Sequence, residues 1–243
     1  MKIISKETCE STNSEAFRQY DLLAEKQRFV LICDEQSKGR GYGNNVWHSA
    51  PGKNLTCSLV FYPAFLRASR QFYFSMITAL SIDDLLKSYS LKSVVKWPND
   101  ILMENKKIAG ILIESVIQNE KIKTIVAGVG LNVNQENFSG EKEGKAISLK
   151  MAGINSSPDI VLGNLIDNME FWYQKLQNEE CETIKKTYLG RLTGYQTWKR
   201  YKSNRGIFKA KIIDICEDGK AKMETDKAKI HLFDIKEVEL LKS

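Results

Sequence analysis

Residues 94–114 read Val94-Val95-Lys96-Trp97-Pro98-Asn99-Asp100-Ile101-Leu102-Met103-Glu104-Asn105-Lys106-Lys107-Ile108-Ala109-Gly110-Ile111-Leu112-Ile113-Glu114. Val94 to Trp97 predicts a strand, and Pro98 stops it because proline cannot donate to a sheet ladder. Asp100 to Met103 and Lys107 to Ile117 predict two more strands, joined by the polar turn Glu104-Asn105-Lys106. At the first strand end an amide and a carboxylate stand side by side. Asn99 can hydrogen-bond a base or ribose, and Asp100 can hold Mg²⁺ through oxygen. Pro-Asn-Asp is equally ordinary turn chemistry. That reading leaves Lys96 and Trp97 unexplained, since a charge beside a large aromatic at a strand end suits a nucleotide rim. Gly110 lies inside an apolar strand, where glycine often marks the close approach of a ligand or a second backbone. Lys107 opens that strand. It either points into a site and neutralises an acyl phosphate or is solvated beside Lys106.

Toward the N-terminus, residues 2–5 predict a short strand. Ser11-Thr12-Asn13 supplies N-cap chemistry for a helix with Ala16, Phe17, Tyr20, Leu23 and Ala24 at helical spacing. Phe29 to Cys33 predicts a buried strand. Residues 35–53 form a long glycine-rich loop, and structureless loops of that length are usually functional. It contains Gly39-Arg40-Gly41-Tyr42-Gly43-Asn44-Asn45, whose G-x-G-x-G spacing is neither the Walker loop nor the dinucleotide pattern. Glycines let backbone N–H groups approach an anion, and Arg40 can bind a carboxylate or phosphate as a fork. A flexible surface loop is the plain alternative. Leu55 to Tyr62 predicts a strand ended by Pro63. A helix near 69–88 follows, with Phe72, Met76, Leu80 and Leu85 on its apolar side.

Toward the C-terminus, Ile122 to Val133 carries a strand pair's worth of β-rich sequence. Gly128-Val129-Gly130-Leu131-Asn132-Val133-Asn134 resembles a dinucleotide fingerprint only superficially, because no helix follows and position 133 is not glycine. A strand lying close to a ligand and ending in Asn132 and Asn134 fits better. Residues 134–146 predict a polar, mobile loop. Pro158 opens a helix to about Asn178 with Ile160, Leu165, Met169 and Trp172 inward, and a second helix covers roughly residues 180–189. From Gly206 the pattern becomes short alternating strands: Ile207-Phe208, Ile212-Ile213, Ala221 to Glu224, Ile230 to Leu232 and Val238 to Leu240. The turn Glu217-Asp218-Gly219 is a hairpin signal. A boundary near residue 192 therefore divides the chain into 1–191 and 192–243, the second suited to a small β-barrel. Trp198 to Arg205 interleaves basic and aromatic residues, as some nucleic-acid surfaces do. A solvated face is the better reading of so short a cluster.

Composition narrows the classes. The chain has 243 residues, 42% hydrophobic and 27% charged, which is globular rather than disordered. Its apolar stretch from Leu55 to Leu66 is too short and too polar to span a bilayer, and no secretion signal opens the chain. A soluble, cytoplasmic protein is expected. The five cysteines form no CxxC, which excludes zinc ribbons and thioredoxin-type motifs. Cys33 and Cys57 read as small core residues. His48 and His231 stand apart, so a histidine metal site is not expected, and neither has the G-x-S-x-G partner of a serine hydrolase. A formal charge of +6 allows nucleotide ligands without demanding nucleic acid.

Taken in order, Ser11-Thr12-Asn13, Asp34-Glu35-Gln36-Ser37-Lys38-Gly39-Arg40-Gly41, Trp47, the 96–100 and 107–114 stretches and Gly128 to Asn134 closely resemble the biotin protein ligases. The resemblance covers about residues 2–190. It implies an α/β fold with a mixed, mainly antiparallel sheet and flanking helices, related to class II aminoacyl-tRNA synthetases. A small Src-homology-3-like barrel follows. It further implies adenylation of biotin by MgATP and transfer of the biotinyl group to a lysine of a biotin carboxyl carrier protein. By that resemblance Ser11, Thr12, Asn13 and Gln36 surround biotin's head. Arg40, Gly41 and Tyr42 close over it, Gly110 borders it, and Lys107 holds the carboxylate through the chemical steps. Lys96, Trp97, Asn99, Asp100 and Asn132 serve ATP, with Asp100 the Mg²⁺ residue. Because the motifs begin by residue 11, the monofunctional form without an N-terminal DNA-binding domain is expected, and with it no operator binding. The family habit of pairing sheets at their edges allows a homodimer. Many relatives have an arginine-rich loop, whereas Tyr42, Gly43, Asn44 and Asn45 follow Gly41 here. Closure by packing rather than charge is the expectation. The lipoate ligases share the fold, but the 96–100 and 107–114 patterns argue against them.

Overall fold

The computed structural model describes residues 1–22, 27–43, 45–138, 140 and 143–241. Leu23, Ala24 and Asn44, which entered the sequence reading, lie outside them. The first sheet contains β1 (Lys2–Cys9), β2 (Phe29–Gln36), β3 (Leu55–Phe61), β4 (Val94–Lys96), β5 (Asp100–Met103), β6 (Lys106–Gln118) and β7 (Lys121–Leu131). Their order is β1-β2-β3-β7-β6-β5-β4. Only β1 and β2 run parallel, and α1 (Thr12–Leu22) provides the crossover that a parallel pair needs. The remaining pairs are antiparallel, as the resemblance implied.

Three expected boundaries shift for backbone reasons. β1 runs to Cys9 and β2 to Gln36, because Thr8 pairs Glu35 and Cys9 pairs Gln36. A ladder is indifferent to the polarity that suggested earlier stops. The stretch from Ile122 to Val133 proves to hold one strand, β7, rather than two. β7 lies between β3 and β6 and has both edges paired, and a strand so enclosed reads as a long apolar run.

Side chains alternate across these strands. Leu55, Cys57, Leu59 and Phe61 of β3 join Ile125, Ala127, Val129 and Leu131 of β7 on one face. There they meet α2 (Phe72–Ser88) and α3 (Pro158–Gln177), while α4 (Cys181–Arg191) packs on those two helices and β4. Val60 and Val126 face the other way, with Ala16 of α1 and Phe29 and Leu31 of β2. α3 begins where Pro158 was expected to open it, and the Ser157 hydroxyl accepts from the Ile160 N–H. Ile160 itself is 58% exposed, contrary to expectation. The buried stripe runs through Val161, Leu165, Met169 and Trp172, and Ile160 falls outside that arc.

The second sheet contains β8 (Lys199–Ser203), β9 (Gly206–Ile215), β10 (Ala221–Thr225), β11 (Ile230–Phe233) and β12 (Val238–Leu240). It is antiparallel, in the order β11-β10-β9-β8-β12, and forms the small β domain expected after residue 192. β9 absorbs two of the predicted short strands. The basic–aromatic cluster is mostly β8, with Tyr201 buried. This sheet docks on the first: the Trp97 indole N–H donates to Gly219 O at 2.9 Å, and Thr193 N–H to Val95 O at 2.8 Å. Lys185 pairs with Asp214 at 2.8 Å. Among the described residues no helix is long and apolar enough to cross a membrane.

Candidate active site

The alternation that builds the core also builds a floor. Gly110 pairs with Gly130 and Leu112 with Gly128 across β6 and β7, and Thr56 and Ser58 of β3 pair with the same two glycines. Residues directly opposite one another share a face, so all six lie on the α1 side of the sheet. α1 delivers Ser11, Thr12 and Asn13 onto this floor from its N-terminal end, and all three are buried. The glycines make room for what covers them. A methyl group on Gly128 would lie 2.4 Å from Asn13 Oδ1, and one on Gly130 would lie 2.3 Å from Trp47 Cε2. The close approach that the sequence predicted along this strand is therefore made, in the free chain, by Asn13 and Trp47.

Over this floor folds the glycine-rich loop. Gly41 N–H donates to Asn45 O at 2.8 Å and Trp47 N–H to Gly39 O at 2.9 Å, and Arg40 bridges Val46, so the loop doubles back as a hairpin. The partly open cavity beneath it measures about 110 Å³. Ser11, Thr12, Asn13, Gln36, Arg40, Gly41, Tyr42, Lys107 and Gly110, expected around biotin, border it. So do Asn99 and Asp100, which were expected to serve ATP; Asn99 does not reach the larger cavity next to it. Gln36 Oε1 accepts from Thr12 N–H at 2.8 Å. Asn13 spends its amide locally: Nδ2 donates to Glu114 Oε2 at 2.7 Å and Leu112 O at 3.2 Å, and Oδ1 accepts from Ser58 at 2.6 Å. Arg40 donates to the same Glu114 oxygen at 2.8 Å.

A second cavity of about 550 Å³ adjoins the first, sharing Val46, Trp47, Asp100 and Lys107 with it. Lys107 thus stands at the junction, its ammonium 2.5 Å from Asp100 and 5.5 Å from the centre of the Trp47 ring. Lys96 and Asn132 border the larger cavity together with His48, Lys145 and Lys199. Asn132 Nδ2 donates to Ile147 O at 3.0 Å, and Asn99 Nδ2 donates to Ile111 O at 3.0 Å, so both amides also secure the strands around Lys107. Trp97 is placed elsewhere. It is buried in the core with its N–H on Gly219, because its large ring fills the seam between the two sheets.

The sequence reading missed the part played by Trp47, although its aromatic bulk beside a glycine-rich loop was a visible signal. It also missed Lys145 and Lys199, which nothing local distinguishes from other surface lysines. Lys199 belongs to the second sheet, whose Glu239, Leu240 and Leu241 border the larger cavity too.

Comparison with known proteins agrees with this geometry. The fold matches that of a biotin protein ligase from Aquifex aeolicus in complex with biotin and ATP, with TM-score 0.79 and 22% identity, covering 100% of this chain and 99% of that one. In sequence the chain is 29% identical over 213 residues to the bifunctional ligase/repressor BirA of Bacillus subtilis (strain 168), covering 85% of this chain. It spans 65% of that relative, less than two thirds of its length. It is 28% identical over 191 residues to the biotin–[acetyl-CoA-carboxylase] ligase of Paracoccus denitrificans, covering 75% of this chain and 77% of the relative. The sequence profile of the Biotin/lipoate A/B protein ligase family matches residues 6–132. That span is more than half of the chain and holds nearly the whole floor, loop and junction described above, and the chain belongs to the Biotin/lipoate A/B protein ligase family.

Proposed function

We propose that this chain is a biotin–protein ligase that activates biotin as biotinyl-5′-AMP and transfers it to a lysine of a biotin carboxyl carrier domain. The observation that carries this reading is the placement of Lys107 where two cavities meet, a small polar one and a larger one rich in cations. Ser11, Thr12 and Gln36 offer donors and acceptors around a small polar cavity, which suits a ureido head better than the dithiolane of lipoate. Asn13 holds the floor in shape, while Gly110 leaves room beside Lys107. Arg40, Gly41 and Tyr42 cover the pocket, with Trp47 as an added apolar wall.

In the first step a biotin carboxylate oxygen attacks the α-phosphorus of ATP. The carboxyl–phosphate bond forms, the bond to the β-phosphate breaks, and pyrophosphate leaves. Negative charge gathers between carboxylate and α-phosphate, and the Lys107 ammonium offsets it. Lys96, Lys145 and Lys199 supply positive charge for the polyphosphate. Mg²⁺ fits here as an ion brought largely by the nucleotide. No cluster of three or more metal-binding side chains exists among the described residues, and magnesium is commonly held by one or two carboxylates plus substrate phosphates. Asp100 is the side chain that would hold it. In the second step the acceptor lysine's amine attacks the acyl carbon, an amide forms, and AMP and a proton leave.

The test is exchange of labelled pyrophosphate into ATP, with biotin, lipoate or neither added. Exchange that depends on biotin supports the reading, whereas exchange only with lipoate moves the chain to the other branch of its family. A charge-assisted contact contributes about 1.5–3 kcal/mol, about 10- to 150-fold in rate. Lys107→Ala should lose at least the lower figure while remaining folded. A folded Lys107→Ala protein exchanging at the wild-type rate would remove Lys107 from the chemistry.

A further inference from the structure

The loop over the small cavity carries little free charge of its own. Lys38 at its start pairs with Glu10 at 2.8 Å, and Arg40 pairs with Glu114. Yet a cation does reach its tip, from the other sheet. The turn between β11 and β12 brings Lys236 over the loop, with Nζ 5.3 Å from the centre of the Tyr42 ring. The approach is close: a methyl group on Gly43 would lie 1.7 Å from Lys236 Nζ and 2.4 Å from Cε, and the φ of 65° at Gly43 itself favours glycine.

The turn is also held in place. Asp234 N–H donates to Glu237 Oε2 at 2.7 Å, Ile235 N–H donates to Asp234 Oδ1 at 2.8 Å, and Glu237 N–H donates to Asp234 O at 3.1 Å. Lys236 itself has φ of 78°, a left-handed conformation uncommon for a residue with a side chain. Tyr42, Asp234 and Ile235 line one groove of about 340 Å³, so loop and turn face each other across a common space. Burial, and after it the Asp234 carboxylate, push the Tyr42 hydroxyl above its ordinary range, which keeps the ring a neutral phenol. The contact is therefore of a cation with an aromatic face rather than an ion pair.

We infer that Lys236 is a positioning residue that latches the Gly39–Val46 loop to the C-terminal sheet, acting through Tyr42 and Gly43 to hold the loop over a bound acyl adenylate. The retention role rests on the function proposed above; the latch itself does not. The second sheet thereby supplies at long range a cation that the loop sequence lacks.

Two readouts separate the latch from the ligand. In the free full-length protein, tryptic cleavage at Arg40 reports loop opening, and Lys236→Gln should accelerate it about two- to fivefold, the size of an exposed cation–π contact. In the loaded protein, biotinyl-AMP formed in place from biotin and MgATP should leave faster by the same factor, measured by filter retention. Lys236→Arg should restore both rates toward wild type, which a purely structural role of the turn would not require. A Tyr42→Leu, Lys236→Gln double variant should open no faster than the worse single variant, because both remove one contact. Melting temperature guards against a folding defect, and Lys236 is exposed, so little change is expected. Unchanged Arg40 cleavage in folded Lys236→Gln would overturn the latch, even if no adenylate forms. Faster cleavage with unchanged adenylate release would overturn its role in retention.

Discussion

At the scale of single residues, exposure separates groups that bind from groups that hold the fold. The Arg40 side chain is 44% exposed and its Glu114 partner 30% exposed, and pairs of that kind contribute about 0–1 kcal/mol to stability. Arg40→Ala should leave the melting temperature of the free protein nearly unchanged while weakening biotin or adenylate binding. Calorimetric titration of both ligands checks this, and full affinity in the variant would take Arg40 out of the pocket. Cys57 lies at the opposite extreme. It is fully buried on the helix-facing side of β3, and burial pushes its thiol up to about 12. Since the thiolate is the reactive form, alkylation of the native protein at neutral pH should spare Cys57 and label it only after unfolding. Peptide mapping before and after denaturant would show the difference.

At the scale of elements, two glycines of opposite function make a paired prediction. Gly163 lies in the interior of α3 with open space around its missing side chain. Gly163→Ala should stabilise the protein by about 0.5–1 kcal/mol, the ordinary helix penalty of glycine. Gly130 lies in β7 directly under the Trp47 ring, with 2.3 Å available where a methyl group would go. A rigid indole cannot yield as a flexible chain end would, so Gly130→Ala should displace Trp47 and impair ligand binding more than stability. Thermal melts of both variants, with and without biotin, would separate the two effects. Loss of stability in Gly163→Ala would mean that the exposed face of α3 is covered in solution.

At the scale of the molecule, the proposed division at residue 192 is a change of architecture rather than a break in the core. One hydrophobic cluster runs from Phe61 and Tyr73 through Trp97 to Ile212, Ala221 and Met223 of the second sheet. A backbone bond from Thr193 N–H to Val95 O and the Trp97 indole N–H bond to Gly219 O cross the same seam. Shared burial of this kind couples two units thermodynamically. The chain should therefore unfold in one calorimetric transition, with calorimetric and van't Hoff enthalpies in agreement. Two resolved transitions would show that residues 192–243 fold on their own.

Local patterning in the sequence was enough for most elements but not for the small cavity. Period-two runs, Pro63, Pro98 and Pro158 as punctuation, and glycines inside strands are short-range signals that delimit elements, whereas Ser11, Gln36, Arg40 and Lys107 were gathered into one site only by the resemblance to the biotin protein ligases. Strand ends escaped where backbone pairing continues through polar residues, as in Asp34 to Gln36. The role of Trp97 escaped because an aromatic at a strand end reads alike whether it faces a nucleotide or a docked sheet. Lys145, Lys199 and Lys236 escaped for a different reason. Each lies far in sequence from the groups it meets, and a lysine's neighbours along the chain carry no record of the surface on which it lands. Residues 39–46 by themselves describe a loop poor in cations, and only the packing of the second sheet decides that a cation reaches it.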